Sequence, residues 1–253
     1  MKTIWITGGS SGIGYATAKK FLDKNWRVVI SSKNSERLEK AKNHLIKNSK
    51  NTEIYALKCD IKDKVEVKKT IERIFNDISY IDLALLNAAA YSPNKSQEFD
   101  IENYELLIDV NLKGTLYCIN ELQKIMNKKN GGHIAIVSSP VGYRGLPTAG
   151  AYGLTKAGLI NLAESLFFDF KNKKIKISVI NPGFIETKST NLNSFPMPYI
   201  KSAEFAANKI YLGLTKSYTF EIFFPTFFLI ILKIGRIIPY KIYFYLIGKI
   251  TKL

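Results

Sequence analysis

Two cysteines, Cys59 and Cys118, are all that the 253 residues contain. One pair cannot staple a secreted scaffold of this size, so the thiols point to a reducing, cytoplasmic setting. Histidine is equally scarce: His44 and His133 are too few soft ligands for a zinc site of familiar spacing, and no metal is expected. The N-terminus reads without a signal peptide, because Met1-Lys2 leads straight into a short apolar run that stops at Gly8. The apolar run 222–232 is broken by Pro225 and falls well short of the roughly 20 residues a spanning helix needs. Lys and Arg outnumber Asp and Glu by 37 to 21, a net charge of +16, but through the first 215 residues they form no cluster interleaved with stacking aromatics. Nucleic acid is therefore not an expected partner. At 46% hydrophobic and 23% charged residues the chain is globular rather than disordered.

Short β-branched runs alternate with longer amphipathic segments, the pattern of a parallel sheet covered on both faces. Strands are predicted at 3–7, 27–31, 53–57, 83–86, 133–138 and 176–180, with a seventh at 219–224. Helices are predicted at 12–24, 35–48, 64–78, 101–127, 151–170 and 202–214. The fold class is α/β, a single doubly wound domain with a mostly parallel six- to seven-stranded sheet. Residues 1–225 form that domain, with a substrate lid at 184–202, and residues 226–253 form an apolar and basic helical tail. His133 at the start of a strand and Cys118 in a helix read as structural core, and His44 as surface.

Thr7-Gly8-Gly9-Ser10-Ser11-Gly12-Ile13-Gly14 follows the first strand and opens the first helix. A glycine-rich turn alone is common. In a strand–turn–helix context it brings backbone N–H groups close to a pyrophosphate at a positive helix end. At the end of the second strand an acid would bind the ribose hydroxyl of NAD. Here the residues are Ser31-Ser32-Lys33, so Ser32 and Lys33 favour the extra phosphate of NADP(H), with NAD(H) the alternative. Tyr152 and Lys156 are four residues apart and share one helix face. A phenol with a pKa near ~10 needs a neighbouring cation to work as an acid–base group at neutral pH. Ser139, at the end of an apolar run, can hold a carbonyl oxygen beside the tyrosine; Ser138 competes for that role, but spacing favours Ser139.

The glycine turn, Asn87-Ala88-Ala89, Ser139 and Tyr152-x-x-x-Lys156 occur in that order. In this combination the chain resembles the short-chain dehydrogenase/reductase family over about residues 2–215. Asp60-Ile61, Asn111 within Asp109-Val110-Asn111-Leu112-Lys113-Gly114, and Asn181-Pro182-Gly183-Phe184-Ile185-Glu186-Thr187 add to the likeness. The resemblance implies a Rossmann-type fold. It implies that Gly8, Ser10, Ser11, Gly12, Ile13 and Gly14 hold the dinucleotide, with Asp60 and Ile61 near the adenine and Asn87 and Ala88 flanking the cofactor. Tyr152 would be the acid–base residue, Lys156 would bind the nicotinamide ribose and lower the tyrosine pKa, and Ser139 would orient the substrate oxygen. Asn111 would hold the helix open for a water leading to Lys156, and Pro182, Gly183, Ile185 and Thr187 would close over the nicotinamide. One residue departs from the pattern: Ala89 stands where the family motif has glycine.

The expected activity is NADP(H)-dependent interconversion of a ketone and a secondary alcohol. An apolar substrate is expected because the lid carries Phe195-Pro196-Met197-Pro198-Tyr199-Ile200. The rival reading is a non-catalytic NAD(P)-binding sensor or scaffold on the same fold. A sugar-nucleotide epimerase would need more chain after residue 190. A homodimer or homotetramer is expected. The tail has no acidic residue from 226 to 253, and Lys241, Lys249 and Lys252 fall in one helical sector among apolar residues. That pattern suits peripheral contact with the inner face of a membrane or docking on the protein itself.

Overall fold

The computed structural model describes residues 1–92, 99–128, 131–193, 196–216 and 218–251. Among them, β1 (Thr3–Thr7), β2 (Arg27–Ser32), β3 (Ile54–Lys58), β4 (Leu83–Leu86), β5 (Gly132–Val137), β6 (Ile175–Pro182) and β7 (Glu221–Phe224) form one sheet. Every pairing is parallel and the order is β3-β2-β1-β4-β5-β6-β7. The strands are short, β-branched and almost wholly buried, as a sheet covered on both faces requires. Strand β6 runs two residues beyond the predicted end. Its last residue paired with β5 is Ile180, opposite Val137, so Pro182 pairs only with Phe224 of β7 and removes no donor from the β5 side.

Helices α1 (Gly12–Leu22), α2 (Ser35–Lys47) and α7 (Ala203–Thr215) cover one face, burying Phe21, Leu22, Leu38, Leu45 and Ile210. Helices α3 (Lys64–Arg73), α5 (Gly114–Lys128) and α6 (Gly150–Asp169) cover the other, with Val67, Ile71, Leu122, Leu159 and Ala163 inside. Side-chain caps fix where several begin: Asn34 accepts from Arg37 N–H, Asp63 from Val65 and Glu66, and Ser202 from Phe205. Helix α1 differs, because Ser11 at its N-cap makes no side-chain capping bond.

The sequence predicts one helix over 101–127, but α4 (Ile101–Leu107) and α5 are separated by a π-helical segment, Ile108–Lys113. The side chain of Asn111 causes this break in register by binding backbone elsewhere. Its Oδ1 accepts from Ala90 N–H at 2.8 Å and its Nδ2 donates to the Ala90 carbonyl at 3.1 Å. A wide turn at a functional position is the usual setting for such a bulge.

After β7 the chain forms α8 (Thr226–Ile234) and α9 (Tyr240–Thr251). Leu229 of α8 is fully buried and joins the core on the α5–α6 face. From α9 only Tyr243 is buried. Lys252, part of the predicted basic sector, lies outside the described residues. No helix among the described residues is long and apolar enough to cross a membrane.

His133 is buried on β5, where its Nε2 meets Ser178 Oγ at 2.9 Å and its ring packs edge-on to Tyr218. Burial, aided by the nearby Lys176 charge, lowers its pKa to about 4. The unfolded chain therefore binds more protons than the folded one as pH falls from about 6.5 toward 4, so this group withdraws stability over that window. Urea unfolding across that range should show a loss of about 3 kcal/mol in the native protein that is absent from His133→Gln. Equal slopes in the two proteins would mean that the imidazole is hydrated when folded.

Candidate active site

Strand order reverses between β1 and β4, which opens a crevice at their C-terminal ends. The glycine turn after β1 forms one wall. Gly8 and Gly12 have φ of +67° and +54°, a region that disfavours side chains. A Cβ on Gly8 would stand 2.9 Å from Ala88 Cα, and one on Gly14 only 2.5 Å from the Gly8 carbonyl oxygen. The turn thus presses against the end of β4. Asn87 Nδ2 donates to the Thr7 carbonyl at 3.0 Å, and the N–H groups of Asn87 and Ala88 both donate to Thr7 Oγ1 at 3.0 Å. Ala89, the departure from the family motif, is exposed.

The residues fit a dinucleotide. The N-terminus of α1 has no side-chain cap, so its first N–H groups and positive dipole end face the crevice beside glycines that keep Cβ atoms out of the way. Ser10 Oγ donates to Ser32 Oγ at 3.2 Å, which brings the end of β2 to the rim, and Lys33 follows as an exposed side chain. Asp60 caps its own turn, accepting from Lys62 N–H at 3.0 Å. Ile61 packs under Gly114 and Ile185 is in the core, so these two offer a ligand backbone rather than side chains. On the opposite wall Gly183 N–H donates to the Phe224 carbonyl at 2.8 Å. Thr187 Cγ2 comes within 3.2 Å of the position a Cβ on Gly12 would take, which closes the segment after Pro182 onto the glycine turn.

At the crevice end of α6, Tyr152 and Lys156 come together, with Lys156 Nζ 5.4 Å from the Tyr152 ring centroid. Lys156 is 2% exposed, and its ammonium donates to the Val137 carbonyl at the end of β5, 2.9 Å away. Burial lowers its pKa to about 8. Ser138 and Ser139 have separate roles. The buried Ser138 hydroxyl donates to the Lys156 carbonyl at 2.8 Å, whereas Ser139 hydrogen-bonds with Tyr152. Burial raises the Tyr152 pKa, the neighbouring Tyr91 phenol adds to the rise, and the Ser139 bond opposes it. The family resemblance implies a tyrosine lowered by lysine. Here one ammonium N–H is taken by the Val137 carbonyl, and desolvation is the larger influence on the phenol.

Asn111 faces the same centre without touching Lys156. Its Nδ2 lies 3.2 Å from Thr155 Oγ1, and the Thr115 hydroxyl takes up its own carbonyl at 2.7 Å. It ties Ala90 to α6 and so keeps the loop after β4 against that helix. Two neighbours escape sequence reasoning. Tyr91 packs edge-on to Tyr152, with centroids 4.8 Å apart, and its hydroxyl donates to Asn193. Asn193 Nδ2 in turn reaches Met197 Sδ at 3.2 Å, linking the lid to the site. Phe195 of the expected lid lies outside the described residues. A half-buried carboxylate was also missed: Glu221 accepts from Tyr143 at 2.6 Å, from Asn181 at 2.8 Å and from Lys233.

The short chain dehydrogenase family profile matches residues 2–195, and the chain belongs to that family. Such proteins are NAD(P)-dependent oxidoreductases acting on CH–OH groups. An uncharacterized oxidoreductase from Staphylococcus epidermidis is 27% identical over 215 residues, 85% of this chain and 91% of that one. The 3-oxoacyl-[acyl-carrier-protein] reductase FabG of Rickettsia prowazekii is 33% identical over 213 residues, 84% of this chain and 82% of that one. Among solved structures, ElxO with NADP bound superposes with a TM-score of 0.79 at 28% identity, covering 88% of this chain and 97% of that one.

The buried ammonium makes a prediction about stability. With its pKa near 8 in the folded state and the ordinary lysine value when unfolded, Lys156 contributes increasing stability as pH rises from about 8 to 10.5. Lys156→Met should lack that rise, about 3 kcal/mol, when both proteins are melted across the range. A parallel pH dependence would show that the ammonium is solvated.

Proposed function

We propose that the protein reduces a ketone to a secondary alcohol with NADPH and that Tyr152 donates the proton. The observation that carries this reading is the Tyr152 phenol beside Ser139 and the buried Lys156 ammonium, whose Nζ lies 5.4 Å from the ring centroid, at the edge of a dinucleotide crevice. When bound, the nicotinamide supplies the hydride. Ser139 and Tyr152 hold the substrate oxygen between two hydroxyls, and the Tyr152 O–H passes its proton to that oxygen as negative charge develops there. The Lys156 ammonium then stabilises the phenolate left behind. Asn111 keeps the Ala90 loop and α6 in register so that these groups stay aligned.

Preference for NADP(H) rests on Ser32 and Lys33, which offer a hydroxyl and an ammonium where an acid would exclude a phosphate. Binding of NADP in ElxO is compatible with it. An apolar substrate is supported by the rings gathered over the site: Tyr91 against Tyr152, and Phe184 and Tyr199 of the lid against Phe228. The carrier-bound 3-oxoacyl substrate in the Rickettsia relative's name belongs to this chemical class. Exposed Leu116, Leu154 and Phe168 on α5 and α6 supply an apolar face for a homodimer or homotetramer.

Tyr152→Phe should bind NADPH with native affinity by calorimetry while losing at least about a hundredfold in ketone-dependent NADPH oxidation, the scale of general acid catalysis. Undiminished turnover would refute the assignment, and no turnover in the native protein with any ketone series would favour a cofactor sensor. Lys33→Glu should reverse a native preference for NADPH over NADH. If the native protein shows no such preference, the reading of Ser32 and Lys33 is wrong.

A further inference from the structure

We propose that α8 and α9 form a docking face for an anionic lipid membrane. The tail directs its polar contacts inward. Arg144 stacks its guanidinium on Tyr243, 4.0 Å from the ring centroid, and on Tyr240 at 4.8 Å. The same guanidinium donates to the carbonyls of Gly235 and Ile238. Tyr243 donates to the Gly145 carbonyl at 2.8 Å, and Lys233 is paired with Glu221.

Its apolar side chains point outward. Phe227, Ile237, Phe244, Tyr245 and Ile250 are each more than 60% exposed. Exposed apolar residues scattered singly need no explanation, but so many within 24 consecutive residues mark a segment that is covered in use. Charge identifies the cover. The tail carries no acid, and Arg236, Lys241 and Lys249 are exposed. Lys241, Tyr245 and Lys249 follow one another at four-residue spacing, so cations and an aromatic ring share one face of α9. Apolar and aromatic groups interleaved with cations match the headgroup boundary of an anionic bilayer.

A second copy of this chain fits less well, because tail-to-tail contact would set cations against cations on a protein already at +16. Spanning is excluded by length: the 12 residues of α9 reach about 18 Å, against a hydrocarbon core of about 30 Å. The anchors on Tyr143, Arg144 and Gly145 belong to the loop between Ser139 and Tyr152, so a docked membrane lies beside the substrate site.

The test is co-sedimentation of the full chain with vesicles of phosphatidylcholine alone or mixed with phosphatidylglycerol. The mixed vesicles should bind at least about tenfold more tightly, and high salt should remove most of that advantage. Lys241→Glu with Lys249→Glu, and separately Phe244→Ser with Ile250→Ser, should each weaken binding about tenfold or more. Both variants should keep native turnover of a water-soluble ketone, which separates loss of docking from misfolding. Absence of binding to either vesicle by the native protein overturns the proposal. So does a tail variant that dissociates an oligomer in ultracentrifugation while vesicle binding is unchanged, since the face then belongs to a second subunit. Partition onto vesicles needs no turnover, so this result stands apart from the catalytic reading.

Discussion

A lysine ammonium buried between α6 and the end of β5 is the constraint from which the rest of the site follows. Its hydrogen bond to the Val137 carbonyl fixes the helix to the central sheet, and Ser138 adds a second bond to the Lys156 backbone. One helical turn earlier, Tyr152 has its ring beside that charge and its hydroxyl bonded to Ser139. Desolvation acts on both groups in the same sense. It disfavours charge, lowering the lysine and raising the tyrosine. In the proposed reduction the phenol supplies the proton and the ammonium offsets the charge it leaves.

The sheet turns this local pair into a site. Because β1 and β4 are neighbours and the strand order reverses there, the glycine turn, the Asn87 loop and the loop after β6 converge on one crevice. Close approach is enforced by missing Cβ atoms at Gly8 and Gly14 and by the Asn87 amide bridging two strands. The uncapped N-terminus of α1 faces the same space. Asn34, Asp63 and Ser202 satisfy the first donors of α2, α3 and α7, whereas Ser11 leaves those of α1 open.

Much of this was legible from local pattern. Buried β-branched runs gave the strands to within two residues, and the Tyr–Lys spacing placed both groups on one helix face. What local pattern could not convey depends on distant contacts. The π-helical break at Asn111 exists because that side chain binds Ala90 and Thr155, which lie 21 and 44 residues away. Tyr91 enters the site only through rings and hydroxyls from Tyr152 and Asn193. Glu221 gains its setting from Tyr143, Asn181 and Lys233, none of them its sequence neighbours. The tail was readable as apolar and basic, but which side chains it buries was set by Arg144, nearly a hundred residues earlier. For the Tyr152 pKa, sequence shows the neighbouring ammonium but not the desolvation that acts against it.

The most direct measurement of the central claim is an ultraviolet difference titration of tyrosinate in the native protein against Tyr152→Phe. A phenol raised by burial predicts no tyrosinate difference between the two proteins up to about pH 10, the ordinary phenol value. A difference signal that develops between about pH 7 and 9 would show that the Lys156 charge outweighs desolvation, and would contradict a phenol raised by burial.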